Sequence, residues 1–205
     1  MIKGVIFDFG GVLVTDPSLK LSRAEAQILN IEPQFLTKFY RDQDLEKFER
    51  NLISPTKFWD SLQKKIENHT KQEVGQAQIK QFQETLINKF VLHSKFKAFI
   101  LELKKNYKIA LLTNNLPSWM PIWEKKFKLK KIFSVIVTSF KEGIRKPDPE
   151  IYLRTCKKLG LGPEECLFID DQKKNTDGAK KAGLEAIQFT TEKETIQRIK
   201  TKLKE

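Results

Sequence analysis

Five short runs of apolar and β-branched residues constrain the fold of this chain more than any other feature: GVIFDF at 4–9, IALLT at 109–113, SVIVTS at 134–139, CLFID at 166–170 and EAIQF at 185–189. Runs this short and this continuously apolar suit strands buried on both faces, as in a parallel sheet. Helical patterns separate the last four. One covers Phe96 to Lys105, ahead of the second run. Another covers Ser118 to Phe127, with Ser118 placed to cap it after Pro117. A third covers Pro149 to Leu159, with Asp148 as cap, Pro149 at the first helical position and Gly160 beyond the end. The last covers Lys174 to Ala182 and stops at Gly183. This alternation predicts an α/β fold, a Rossmann-like doubly wound parallel sheet.

One stretch breaks the alternation. Residues 10–108 separate the first run from the second, and most of them read as helix. LSRAEAQILN, PQFLTKFYRDQDLEKFERN, SPTKFWDSLQKKIENH and KQEVGQAQIKQFQETLINKF are each amphipathic, with breaks at Glu32–Pro33, Ser54–Pro55 and His69–Thr70. A single crossover between strands does not need four helices. The sequence therefore predicts an α-helical cap inserted at 17–90, and a core made of 1–16 and 91–205.

Composition narrows the function. Hydrophobic residues make up 40% and charged residues 31%, a balance that supports a buried core and argues against wholesale disorder. No run of about 18 apolar residues is present, so no membrane span is predicted. The apolar start MIKGVIFDFGGVLV carries an acid inside it and lacks a small-residue cleavage pattern, so it does not read as a signal peptide and a cytoplasmic protein is expected. Cys156 and Cys166 form neither a disulfide framework nor a metal knuckle and read as buried or half-buried thiols. His69 and His93 read as surface residues without partners at ligand spacing. The net charge is +12, but the lysines are spread over helix faces and ends rather than gathered in one arm. That pattern fits solvated faces better than a nucleic-acid groove, and it leaves a positive field that attracts anionic substrates. Trp59, Trp119 and Trp123 read as packing residues rather than a stacking platform.

In an open α/β sheet, ligands bind outside the carboxyl ends of the strands. Asp8 stands at the first such end, followed by Phe9-Gly10-Gly11. Thr113-Asn114-Asn115 stands at the second, Lys141 to Pro147 follows the third, and Asp170-Asp171 ends the fourth. An acid, a hydroxyl, a lysine and a pair of acids at one edge suit phosphoryl transfer. A carboxylate can attack phosphorus and form an acyl phosphate that water then hydrolyses. Bringing that carboxylate and a phosphate together requires positive charge, and Mg²⁺ favours carboxylate, carbonyl and water oxygens. Gly10 and Gly11 let the chain turn sharply and approach a ligand closely.

At these residues the sequence resembles the haloacid dehalogenase-like hydrolase superfamily. Asp8-Phe9-Gly10-Gly11-Val12-Leu13 is similar to its first motif, DxDG(T/V)L after an apolar strand, Thr113-Asn114 to its second, Lys146 in GIRKPDPEIY to its third, and Asp170-Asp171 through Asn175 to its fourth. The resemblance spans roughly 1–16 and 95–190, and the helical insertion looks like the family's C1-type cap. Sugar-phosphate phosphatases and the N-terminal domain of bifunctional epoxide hydrolases are similar members. The resemblance implies a Mg²⁺-dependent phosphatase acting on a small phosphorylated metabolite, with a sugar phosphate favoured. It implies Asp8 as nucleophile and metal ligand, Thr113 and Asn114 as phosphate-binding residues, and Lys146 as the cation that balances nucleophile and phosphate. It implies Asp171 as the chief fourth-motif metal ligand with Asp170 assisting, the backbone carbonyl of Gly10 as a further ligand, and Asn175 as an orienter of the loop.

Gly10 departs from the pattern, because most family phosphatases carry there a second aspartate that protonates the leaving oxygen and later activates water. Asp16, eight residues past Asp8, could take that part only if the loop folds back; otherwise it is a turn residue before Pro17. Two other activities stay open at this point: a C–halogen hydrolase, which needs no acid at position 10 and no metal, and a degenerate binding or regulatory protein.

Overall fold

The computed structural model describes residues 1–16, 23–35 and 43–204. Its strands are β1 (Gly4–Phe7), β2 (Lys108–Thr113), β3 (Val135–Thr138), β4 (Cys166–Asp170) and β5 (Glu185–Gln188). They form one sheet in the order β3-β2-β1-β4-β5, and every neighbouring pair is parallel. The chain thus starts in the middle of the sheet, moves out to one edge and returns to build the other. β1 is buried along its whole length. Val5 and Phe7 face one side, with Leu111 and Ile169. Ile6 faces the other, with Ala110, Leu112 and Phe168. Both faces are covered, which is why the strands read as unbroken apolar runs rather than as alternating ones.

One face carries α9 (Pro149–Leu159) and α10 (Lys173–Lys181), which pack Tyr152, Cys156 and Ala179 onto the sheet. The other carries α5 (Ser94–Leu103), α6 (Met120–Phe127), the short α7 (Leu129–Ile132) and α11 (Glu192–Lys202). A single-turn helix α8 (Ser139–Glu142) follows β3. Between β1 and β2 the described residues form α1 (Arg23–Ile28), α2 (Gln43–Glu49), α3 (Pro55–Thr70) and α4 (Gln76–Lys89). Ser54 caps α3 by accepting from Lys57 N at 3.2 Å, and Pro55 occupies its first turn. Phe48, Phe58, Leu62 and Ile66 fill the interior of this helical group. Its apolar cluster runs on into the sheet layer, where the Trp59 and Trp119 rings stack at 6.0 Å. Parts of the expected helices at 21–30 and 33–51, namely 21–22 and 36–42, lie outside the described residues.

Several expectations shift. The helix expected from Ser118 begins at Met120, and Ser118 does not cap it. Pro121 is the reason, since a proline fits the first helical turn, where its missing N–H has no partner to lose. β1 ends at Phe7 rather than Phe9, although Asp8 N still donates to Ile169 O at 2.9 Å. His93 is half-buried rather than on the surface: its Nδ1 lies 2.9 Å from Val12 O, and its ring stacks on Phe189. Cys156 and Cys166 are buried free thiols. Among the described residues no helix is long and apolar enough to cross a membrane.

Candidate active site

The carboxyl ends of β1, β2 and β4 open into one cavity of about 490 Å³. Asp8 sits at its floor, one residue past β1 and nearly buried. Its Oδ1 accepts from Phe9 N at 2.6 Å and lies 2.7 Å from Lys146 Nζ. Lys146 is buried, and its Nζ also donates to Asp170 Oδ2 at 2.6 Å. One ammonium therefore bridges the ends of two strands. Asp170 is saturated by protein donors: Asn175 Nδ2 reaches Oδ1 at 2.9 Å and Oδ2 at 3.0 Å, and Gln172 N reaches Oδ1 at 2.8 Å. Tyr152 Oη in turn donates to Asn175 O at 2.8 Å, which ties the loop after β4 to α9.

Asn114 holds the lysine in place. Its Nδ2 donates to Lys146 O at 3.0 Å, and its Oδ1 accepts from Lys146 N at 2.9 Å. Sequence reasoning gave Asn114 to the phosphate, yet in the structure both ends of its amide hold the backbone of Lys146. Thr113 is buried at the end of β2, where its hydroxyl makes a long 3.3 Å contact with Asn114 O. Asn115 orders the next turn, accepting from Leu116 N at 2.7 Å.

Asp171 differs from its neighbour. Its Oδ1 is buried and has no hydrogen-bond partner among the described residues. One ligand atom each from Asp8, Asp170 and Asp171 lie within 4.8 Å of one another. Burial raises the Asp8 carboxyl well above the usual range; Lys146 opposes the shift, while Asp170 and Asp171 add to it. Burial and the charge of Asp170 push Asp171 up to about 6. Burial works against the Lys146 ammonium, but the attraction of Asp170 and Asp8 outweighs it and holds the lysine above its ordinary value. Three carboxylates thus share one cation, and the orphaned oxygen of Asp171 points to a second. A divalent ion with oxygen ligands fits that charge deficit and donor set. Gly11 makes the approach possible: it has φ +76°, and a Cβ there would stand 2.6 Å from Asp171 Cγ.

A match to the family described as "Hydrolase: haloacid dehalogenase-like hydrolase" covers residues 2–183. The chain belongs to this family. It is 30% identical over 202 residues to the D-ribitol-5-phosphate phosphatase of Bacteroides thetaiotaomicron, covering 92% of each chain. It is 25% identical over 201 residues to the glyceraldehyde 3-phosphate phosphatase of Methanopyrus kandleri, covering 92% of this chain and 84% of that one. Among solved structures, a family enzyme of Bacteroides thetaiotaomicron in complex with magnesium and inorganic phosphate superposes with a TM-score of 0.74 at 25% identity, covering 93% of this chain and 95% of that one. The chain is accordingly a hydrolase with the Rossmann-like core that its alternating runs predict.

Other residues of the cavity were not foreseen. Trp119 and Trp123 line it as well as pack behind it. Leu45 and Glu49 reach into it from α2, and Phe90 from the end of α4. Arg145, beside Lys146, pairs through Nη2 with Glu49 Oε2 at 2.8 Å and anchors the helical insertion to the core. Burial raises the Glu49 carboxyl, with Arg145 opposing. No spacing rule singles out Glu49, because it reads as one more charge on an amphipathic helix.

Proposed function

We propose that the chain is a Mg²⁺-dependent phosphatase that removes phosphate from a small phosphorylated polyol or sugar through an acyl phosphate on Asp8. The carrying observation is the buried Asp8–Lys146–Asp170 bridge beside the orphaned Asp171 oxygen, at the floor of one cavity. The names of the relatives, and the magnesium and phosphate held by the similar solved structure, support the same chemistry.

Asp8 attacks phosphorus with the carboxylate oxygen that faces the cavity. Lys146 offsets the repulsion between that carboxylate and the phosphate, and Asn114 keeps the lysine aimed. Thr113 and backbone N–H groups of the turn after β2 hydrogen-bond the phosphate oxygens. Asp8, Asp171, the Gly10 carbonyl and, directly or through water, Asp170 hold the Mg²⁺, with Asn175 fixing Asp170. When bound, the ion supplies charge neutralisation and orientation for the phosphoryl group. The helical insertion serves as the cap: Leu45 and Glu49 close the cavity above the substrate, and the Glu49 carboxylate gives substrate hydroxyl groups an acceptor.

The deciding experiment is hydrolysis of p-nitrophenyl phosphate and ribitol 5-phosphate with and without Mg²⁺. Release of phosphate that stops with a chelator is the expected result. Chloride release from 2-chloropropionate with no phosphatase activity would instead establish a C–halogen hydrolase.

A further inference from the structure

We infer that Asp16 supplies the carboxyl group missing at position 10 and is the general acid and base of this site; the inference rests on the phosphatase reading above. The loop after β1 folds back on itself. Gly11 N donates to Val14 O at 2.8 Å, and Gly10 and Val14 pair as an isolated bridge. Val14 bridges Leu92 as well, and Thr15 N donates to Val91 O at 2.8 Å. The Thr15 hydroxyl accepts from Val91 N at 3.0 Å and contacts Lys89 O at 3.3 Å. Residues 14 and 15 are therefore strapped to the chain leaving α4, and they deliver Asp16 to the cavity that holds Asp8 and Lys146.

The delivered side chain lies against position 10. A Cβ built on Gly10 would stand 3.1 Å from Asp16 Oδ2, 3.5 Å from its Cγ and 3.6 Å from its Cβ. Those three are the nearest contacts of that space, so the Asp16 carboxylate covers the direction in which a side chain at 10 would grow. Among the described residues the group of carboxylates close enough to share a metal is Asp8, Asp170 and Asp171, without Asp16. An acid in the nucleophile's cavity but outside that group is placed for proton transfer. Glycine at 10 and aspartate at 16 are one arrangement: the missing side chain makes room for the returning one.

Asp8 bonds to phosphorus while the bond from phosphorus to the leaving oxygen breaks, and that oxygen takes its proton from Asp16. Water then attacks the same phosphorus, gives a proton to the Asp16 carboxylate, and displaces Asp8 as a free carboxylate.

The test compares kcat/KM of wild type and Asp16→Asn for phosphate esters that differ in leaving-group pKa, from p-nitrophenyl to ethyl phosphate, in saturating Mg²⁺. This constant reports the step in which the ester bond breaks. For ethyl phosphate the variant is expected to lose about 10²–10⁴-fold, the usual contribution of general acid–base catalysis, and for p-nitrophenyl phosphate less than about tenfold. The Mg²⁺ Kd by calorimetry should stay within about threefold. Gly10→Asp alone crowds two carboxylates into one space and should lower activity, whereas Gly10→Asp with Asp16→Ser should regain ethyl phosphate turnover over Asp16→Asn. Equal losses for both esters, or losses that track a weakened Mg²⁺ Kd, overturn the inference and leave Asp16 a metal-site residue. A double variant that folds but regains nothing also overturns it. No p-nitrophenyl phosphate turnover by wild type removes the phosphatase reading itself, whatever Asp16 does.

Discussion

The floor and the roof of the cavity are built on opposite principles. At the floor, Asp8, Lys146, Asp170 and Asn175 interlock through contacts of 2.6 to 3.0 Å, and both carboxylate oxygens of Asp170 have assigned donors. At the roof, α2 offers Leu45 and Glu49, the wall behind is aromatic, and the polar links down to the core are Arg145, which pairs with Glu46 and Glu49, and Arg50 Nε, which donates to Gly143 O. A buried charge network tolerates one geometry, because each unpaired member would leave an uncompensated charge behind. An apolar wall with a few polar links at its rim can be reshaped at small cost. Under the proposed function, the contrast separates reaction from selectivity: the floor would specify the chemistry, and the roof would tune what enters.

Breaking the floor should give the largest effects. Asp8→Asn is expected to abolish turnover, since an amide cannot attack phosphorus; more than about a tenth of the wild-type rate would sink the assignment. Lys146→Met leaves Asp8 and Asp170 facing each other without their shared cation. It should remove most activity and, as removal of one partner from a buried pair does, destabilise the fold by about 3–5 kcal/mol in urea denaturation. A variant as stable as wild type would show that the network is not as tightly coupled as its distances imply.

Metal loading should follow the titration of the floor. With Asp171 held up at about 6 in the metal-free protein, it is mostly ionised at pH 7 and mostly protonated at pH 5. Below pH 6 the ion must displace a proton, so Mg²⁺ affinity should fall by up to about tenfold per pH unit, measured by calorimetry. A flat profile between pH 5 and 7 would place the ion away from Asp171.

The roof should respond more gently. Glu49→Gln keeps the shape but removes the charge paired with Arg145; it should raise KM for polyol phosphates by about 10-fold or less, the scale of one ordinary hydrogen bond, with a small effect on kcat. A collapse of kcat instead would move Glu49 from selectivity into chemistry. Smallest of all, Lys158→Ala removes an exposed pairing with Glu142 and should change stability by about 0–1 kcal/mol in the same denaturation assay.

Much of this organisation was legible in the chain itself. The runs of β1, β2 and β4 are apolar because both faces of the sheet are covered there, and Asp148, Pro149 and Gly160 bound α9 where their backbone preferences place it. Asp8, Thr113, Lys146 and Asp170-Asp171 each follow a strand, so a single rule about strand ends assembled them without a contact map. Local pattern suffices there because strand burial and helix capping are decided by residues a few positions apart. It fell short wherever a partner is distant in sequence. The pattern at the end of β2 marks Asn114 as a candidate phosphate ligand but does not show that its amide makes two hydrogen bonds to the backbone of Lys146, thirty-two residues on. Amphipathic periodicity shows that α2 has a buried face but not that Glu49 meets Arg145. The position of Asp16 against Gly10 depends on a strap between residues 14–15 and 89–92, set by how the helical insertion returns to the core. The sequence by itself determined the sheet and the order of the chemical groups along its edge. Only the tertiary structure decided which of those groups are already engaged, which oxygen is left open, and which distant side chain fills the space a glycine leaves. Those outcomes are set by packing between segments that no periodicity connects.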